Sequence, residues 1–192
     1  VTWNDEDLGA IYKVNLDGTL LEKITEEKGI YRTPVYNRSN SQIVYRKESG
    51  NGDQGYDYTK KTGIYIANAD GTDAKRVAKE GEFPVFSTDD SRIFYQTGGA
   101  FFGGLTKKLK SVDLNGKEKR SYFSSKLANR LLPSEDNKFV AFIHLHKLYV
   151  APFVMNGSEI NLDNNTKSFN VESLSKNAGI NLHWAANNSK VF

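Results

Sequence analysis

The sequence predicts an all-β chain, a β-propeller of four-stranded antiparallel blades, here a partial propeller of about four blades. Two observations carry this. Residues 10–18, AIYKVNLDG, return at 63–71 as GIYIANADG, and residues 34–45, PVYNRSNSQIVY, return at 84–95 as PVFSTDDSRIFY. Within each copy, short alternating apolar runs are punctuated by turn residues, which is the period of strands. Self-similarity at a fixed spacing means one small unit stacked on its neighbours, each burying an apolar face against the next.

The elements follow in order. The first complete unit reads PVYN, QIVYR, GIYIANA and AKRVA over residues 34–78; the second reads PVFS, RIFYQT, LKSVDL and EKRSYF; the third reads RLLPS, FVAFIHL, KLYVAPF and KSFNV. Partial units flank them, so the single domain 1–192 divides at about 1–33, 34–83, 84–128, 129–178 and 179–192. Asp17-Gly18, Asp70-Gly71, Asn115-Gly116 and Asn156-Gly157 each follow an apolar run and predict type I′ hairpins. Polar clusters, Arg38-Ser39-Asn40-Ser41, Thr88-Asp89-Asp90-Ser91, Glu135-Asp136-Asn137-Lys138 and Asn187-Asn188-Ser189, predict the other hairpin of each unit. Leucine-rich arrays repeat every ~20–29 residues, too short for this period.

The pattern IYxxNxDG, followed by Pro-apolar-aromatic-Ser-x-Asp and Ile-x-Tyr, resembles the propeller repeat of the TolB family, shared with tricorn-type peptidases and other secreted or periplasmic hydrolases. It is strongest over Ile11–Tyr45 and Ile64–Tyr95; later the usual Ser-Pro-Asp-Gly turn is represented only by Ser87-Thr88-Asp89-Asp90 and Pro133-Ser134-Glu135-Asp136. KLYVAPF (147–153) with SKNAGINLHWAANNSKVF (175–192) resembles the propeller that precedes an amidohydrolase domain in some bacterial proteins. That resemblance implies a non-catalytic propeller of a larger exported hydrolase, acting in substrate access or protein interaction, with the catalytic barrel elsewhere in the parent. It also implies a periplasmic or secreted location. The alternative is a TolB-like periplasmic module that binds an envelope protein during translocation.

The chain reads as a fragment: Val1 is not an initiator Met, and VTW looks like the close of an earlier strand. Open outer strands invite pairing with another chain. Either the terminal runs LHWAA and SKVF join IYKVNL and LEKIT in one mixed blade, or arcs associate as a dimer, and the arc or dimer is the expectation. The partners expected are a domain of the same parent, an envelope protein or a second copy.

Composition narrows the chemistry. With 38% hydrophobic and 26% charged residues, the chain has no apolar run near the ~20 residues of a membrane helix. It has no cysteine, which excludes disulfides and thiol catalysis. The net charge of +3 does not point to nucleic acid, because the basic residues are interleaved with acids and cluster only at Lys107, Lys108 and Lys110.

No cofactor is expected, and no Gly-x-Ser-x-Gly elbow offers a catalytic serine. Ser87 recurs as Asn37 and Ser134, at the position of each innermost strand predicted to face the channel, which is repeat grammar. His144 and His146 in FIHLHKLYV (142–150) would share one face of a strand and are weak metal candidates. Residues 48–62, ESGNGDQGYDYTKKT, lengthen one hairpin; Asp53 and Asp57 are weak calcium candidates, and Tyr56 and Tyr58 a binding surface. The loop GGAFFGG (98–104) adds Phe101 and Phe102 as a second contact surface.

Overall fold

A computed structural model describes residues 8–49, 60–98, 106–176, 181–185 and 187–192. Among them all regular structure is β. Three sheets carry the fold. The first runs β3 (Ile30–Tyr36), β4 (Gln42–Ser49), β5 (Gly63–Asn68) and β6 (Lys75–Ala78), in spatial order and antiparallel throughout. The second repeats it with β7 (Glu82–Phe86), β8 (Arg92–Thr97), β9 (Lys107–Asp113) and β10 (Arg120–Ser125). The third has β11 (Ala128–Pro133), β12 (Phe139–His144), β13 (Lys147–Pro152) and β15 (Glu172–Ser173). Two-stranded sheets flank them, β1 (Tyr12–Lys13) with β2 (Glu22–Lys23), and β16 (Trp184–Ala185) with β17 (Lys190–Val191). Among the described residues these two hairpins are not paired with each other, and no mixed closing blade joins them. The architecture is a partial propeller of four-stranded meanders.

Period-two alternation sends successive side chains of each second strand into different inter-sheet cores. On β4, Ile43 and Tyr45 join Ile11 and Ile24 of the preceding hairpin, while Val44 joins Ile64, Val77 and Ile93 of the next interface. On β8, Ile93 and Tyr95 pack backwards and Phe94 forwards, against Phe123, Phe142 and Phe153. On β12, Val140 and Phe142 pack backwards and Ala141 and Ile143 forwards, onto Leu182. Sheets buried on both faces explain why every second strand is apolar almost throughout.

The turns differ from expectation in kind. In the Asp-Gly hairpins the Gly71 N–H donates to the Asn68 carbonyl (2.9 Å) and the Gly18 N–H to the Asn15 carbonyl (2.9 Å), and only the glycine is left-handed (φ +90° and +81°). These are three-residue loops, a type I turn followed by a glycine bulge, with Asp70 Oδ1 accepting from the Thr72 N–H (3.0 Å). The tight two-residue turn with positive φ at both positions occurs instead at Leu145-His146 (φ +47° and +67°).

The fourth strand of the third sheet also departs from expectation. KSFNV is not that strand; pairing falls at Glu172–Ser173. Between β13 and β15 the chain crosses to the second sheet, where β14 (Ile160–Asn161) pairs parallel with β10 and makes that sheet five-stranded. Leu162 behind it is fully buried, and Phe169 and Val171 pack onto the same core, so the apolar residues of KSFNV are used for packing. Lys108 Nζ and Glu159 pair at 2.9 Å across this strap, which covers the edge of β10.

Candidate functional site

The four first strands, β3, β7, β11 and β16, come together at the inner side of the stacked sheets. Each of β3, β7 and β11 is the terminal strand of its sheet. The hairpin turns that follow them are locked by side chains. Asn37 Oδ1 accepts the N–H groups of Ser41 and Gln42 (both 2.9 Å). Ser87 Oγ accepts from the Arg92 N–H (2.9 Å) and donates to Asp89 (2.6 Å); Ser134 Oγ accepts from the Phe139 N–H (3.0 Å) and donates to Asp136 (2.6 Å). All three are buried. They therefore do not face a channel as the sequence suggested: the polar cluster after each strand needs an internal acceptor for its backbone donors, and this residue supplies it. The hydroxyl donors hold the Asp89 carboxyl down to about 2 and Asp136 below the usual carboxylate range.

Neighbouring turns are also tied to one another. The Arg38 N–H donates to Asp90 Oδ1 (3.3 Å), Asn137 Nδ2 to Thr88 Oγ1 (3.4 Å), and the Glu135 N–H to Asn188 Oδ1 (2.9 Å). The result is a polar rim running from the first complete sheet to the last hairpin.

Below this rim lies a groove of about 360 Å³, lined along its walls by Val35, Phe83, Pro84, Leu132 and Trp184 and crossed by Arg130. The Arg130 guanidinium lies over the Phe83 ring, 3.7 Å from its centroid, and its Nε is buried without a hydrogen-bond partner. Burial pulls the Arg130 pKa down to about 10, still far above neutrality, so the cation persists. Glu135, exposed and lining the same groove, is not paired with it. Trp184 is fixed by its indole N–H, which donates to the Leu132 carbonyl (3.2 Å).

A larger cavity of about 570 Å³ lies between the first hairpin and the first complete sheet, lined by Tyr31, Tyr45, Tyr65 and Lys47. Its polar groups are largely satisfied internally. The Tyr31 hydroxyl donates to the Glu27 carbonyl (2.6 Å), the Tyr65 hydroxyl to the Lys61 carbonyl, and buried Lys47 pairs with the Glu27 carboxylate (2.7 Å). The inner groove places a guanidinium with a buried, partnerless Nε beside aromatic walls, and we take it as the candidate site.

The residues singled out from the sequence fall elsewhere. Asp53, Asp57, Tyr56, Tyr58, Phe101 and Phe102 lie outside the described residues. His144 and His146 do not share a strand face as expected, because β12 ends at His144 and the tight turn breaks the alternation. His144 is buried against Tyr149 with Nδ1 unpartnered, and burial lowers its pKa against the opposing pull of Asp163; His146 is exposed on the turn. Among the described residues no three His, Asp or Glu side chains converge as a metal site. Arg130 was missed, although a signal existed: stacking the repeats puts Thr33, Phe83 and Arg130 in one column ahead of Pro34, Pro84 and Leu131, where a single cation stands out.

No family model matches the chain, and no curated protein matches it. Solved structures do. An oligogalacturonate lyase, solved in complex with manganese, superposes with a TM-score of 0.55 at 19% identity over 75% of this chain and 39% of that one. TolB from Acinetobacter baumannii superposes with a TM-score of 0.51 at 12% identity over 97% of this chain and 54% of that one. The chain thus spans about two fifths and about half of these two structures. The fold is a TolB-like β-propeller.

Proposed function

We propose that the chain is the non-catalytic propeller portion of a larger bacterial exported hydrolase, related to the amidohydrolases, and that it governs substrate access or contact with another protein. The observation that carries this reading is the inner groove, walled by first strands of four sheets and holding a cation that no carboxylate among the described residues neutralises. Such a groove is suited to binding. The recurring serines that might have been read as nucleophiles act as turn acceptors, paired with aspartate and backbone donors. The likeness of KLYVAPF and the last eighteen residues to the propeller that precedes an amidohydrolase domain supports the choice of parent, and with it a periplasmic or secreted location.

Two measurements test this. The chain incubated with p-nitrophenyl acetate and with an N-acyl dipeptide amide should give no turnover above buffer; turnover that co-purifies with it would end the non-catalytic reading. Random displayed peptides selected on the chain, and counter-selected on a Glu135→Trp variant whose new side chain fills the groove mouth, should yield binders that need an open groove. Failure to enrich any such peptide would remove the groove as a contact surface.

A further inference from the structure

We infer that the inner groove captures the C-terminal carboxylate of an extended peptide whose last side chain is apolar. This rests on the groove being the contact surface proposed above. The carboxylate belongs on Arg130, whose flat face is occupied by Phe83 and whose hydrogen-bond donors therefore point outward in the plane of the guanidinium. A planar fork of N–H donors matches the two oxygens of a carboxylate. Among the described residues no acid is paired with this side chain, and its buried Nε has no acceptor, so the charge balance of the groove is completed by an anion from outside.

Three features favour a chain terminus over an isolated small acid. The groove volume of about 360 Å³ holds more than one carboxyl group and leaves room for a side chain against Trp184, Leu132 and Pro84. The walls are β3, β7 and β11, each an edge strand of its sheet, so their outer backbone groups can bond to an extended chain. The mouth is bordered by the exposed carboxylate of Glu135, which disfavours further acids along the peptide and leaves the terminal carboxylate as the one anion drawn inside.

The test uses a Trp3→Phe background, in which Trp184 is the one remaining tryptophan and reports the groove by fluorescence. It is titrated with a hexapeptide ending in phenylalanine, as free acid and as C-terminal amide, and with N-acetylphenylalanine. The free-acid hexapeptide should bind on the order of tenfold tighter than the amide, the gain of one charge-assisted contact. That advantage should disappear in Arg130→Met, shrink in Arg130→Lys, and fall with added salt, while thermal melting confirms that each variant is folded.

Equal binding of acid and amide, both blocked by Glu135→Phe, which fills the groove mouth without adding a tryptophan, would overturn the carboxylate assignment and leave the groove reading standing. An acid preference that survives in Arg130→Met would also overturn it. N-acetylphenylalanine binding as tightly as the hexapeptide would overturn the choice of a peptide terminus. No response to any of the three ligands at millimolar concentration would remove the groove reading and this inference together.

Discussion

Gly71 offers the sharpest test of how the sheets are stacked. It sits in the β5–β6 turn with φ +90°, and a Cβ built there would lie 2.0 Å from the Ile24 carbonyl oxygen of the preceding hairpin. Gly157 has nearly the same backbone (φ +83°), yet a Cβ there meets nothing within 4 Å. Substituting each with alanine separates two costs. The left-handed conformation costs an alanine roughly 1–2 kcal/mol at either site. At Gly71 the added methyl must also push the two sheets apart by about 1 Å against a carbonyl that cannot rotate away, an overpacking penalty of about 1–3 kcal/mol. Gly71→Ala should therefore lose ~2–5 kcal/mol and Gly157→Ala ~1–2 kcal/mol. Urea unfolding followed by far-ultraviolet circular dichroism, with slopes compared between variants, measures both. Losses that agree within about 0.5 kcal/mol would mean the first hairpin does not pack on the Gly71 turn, and the stacking described here would be wrong at that interface.

Leu162→Ala should cost ~2–5 kcal/mol because its side chain is fully buried; a loss below about 1 kcal/mol in the same urea experiment would show that the strap does not belong to the core. The Lys47–Glu27 pair is asymmetric, the lysine buried and the glutamate exposed, so Glu27→Gln, which strands a buried cation, should destabilise more than Lys47→Met; the reverse order in melting temperature would refute this. Asp89 is held at about 2 by the hydroxyls of Ser87 and Ser91. A carboxylate depressed in the folded state stabilises fully above its unfolded value of ~3.9, and that contribution is lost as pH falls towards 2. Asp89→Asn should therefore flatten the fall in melting temperature over that window, and an unchanged acid slope would contradict the assignment.

The stacked-meander fold was legible because each second strand must satisfy two cores at once, which leaves a run such as QIVY or RIFY apolar on both faces. Turn positions were legible and their geometry was not. Asp-Gly signals a hairpin, but whether the loop closes over two residues or three depends on strand register, and at Asn68–Thr72 the bond closes one residue later than a type I′ turn allows. The reverse error occurred at Leu145-His146, where no turn dipeptide interrupts the alternation and the tight turn is imposed by the pairing of β12 with β13. KSFNV has a strand's pattern, yet its apolar residues pack on the core between the second and third sheets. The groove could not be read at all from one stretch of chain. Phe83, Arg130 and Trp184 are far apart in sequence and meet only once three sheets are stacked.

The short parallel pairing of β14 with β10 imposes a direction on assembly. Residues 160 and 161 can bond only to a second sheet that already exists, because their partners, Phe123 and Ser124, belong to its last strand. During synthesis that sheet leaves the ribosome first, so the clasp closes backwards onto finished structure, and only afterwards does the chain return to add β15 to the third sheet. Separations of this kind slow folding, since a loop must close before its contacts repay it. The same clasp ties the second and third sheets through an exchanged segment, while the first complete sheet, which shares no strand with them, is held to the second by the core of Val44, Ile64, Val77 and Ile93 and should open at the lower free energy. Hydrogen exchange should accordingly divide the molecule at the junction between Ala78 and Glu82.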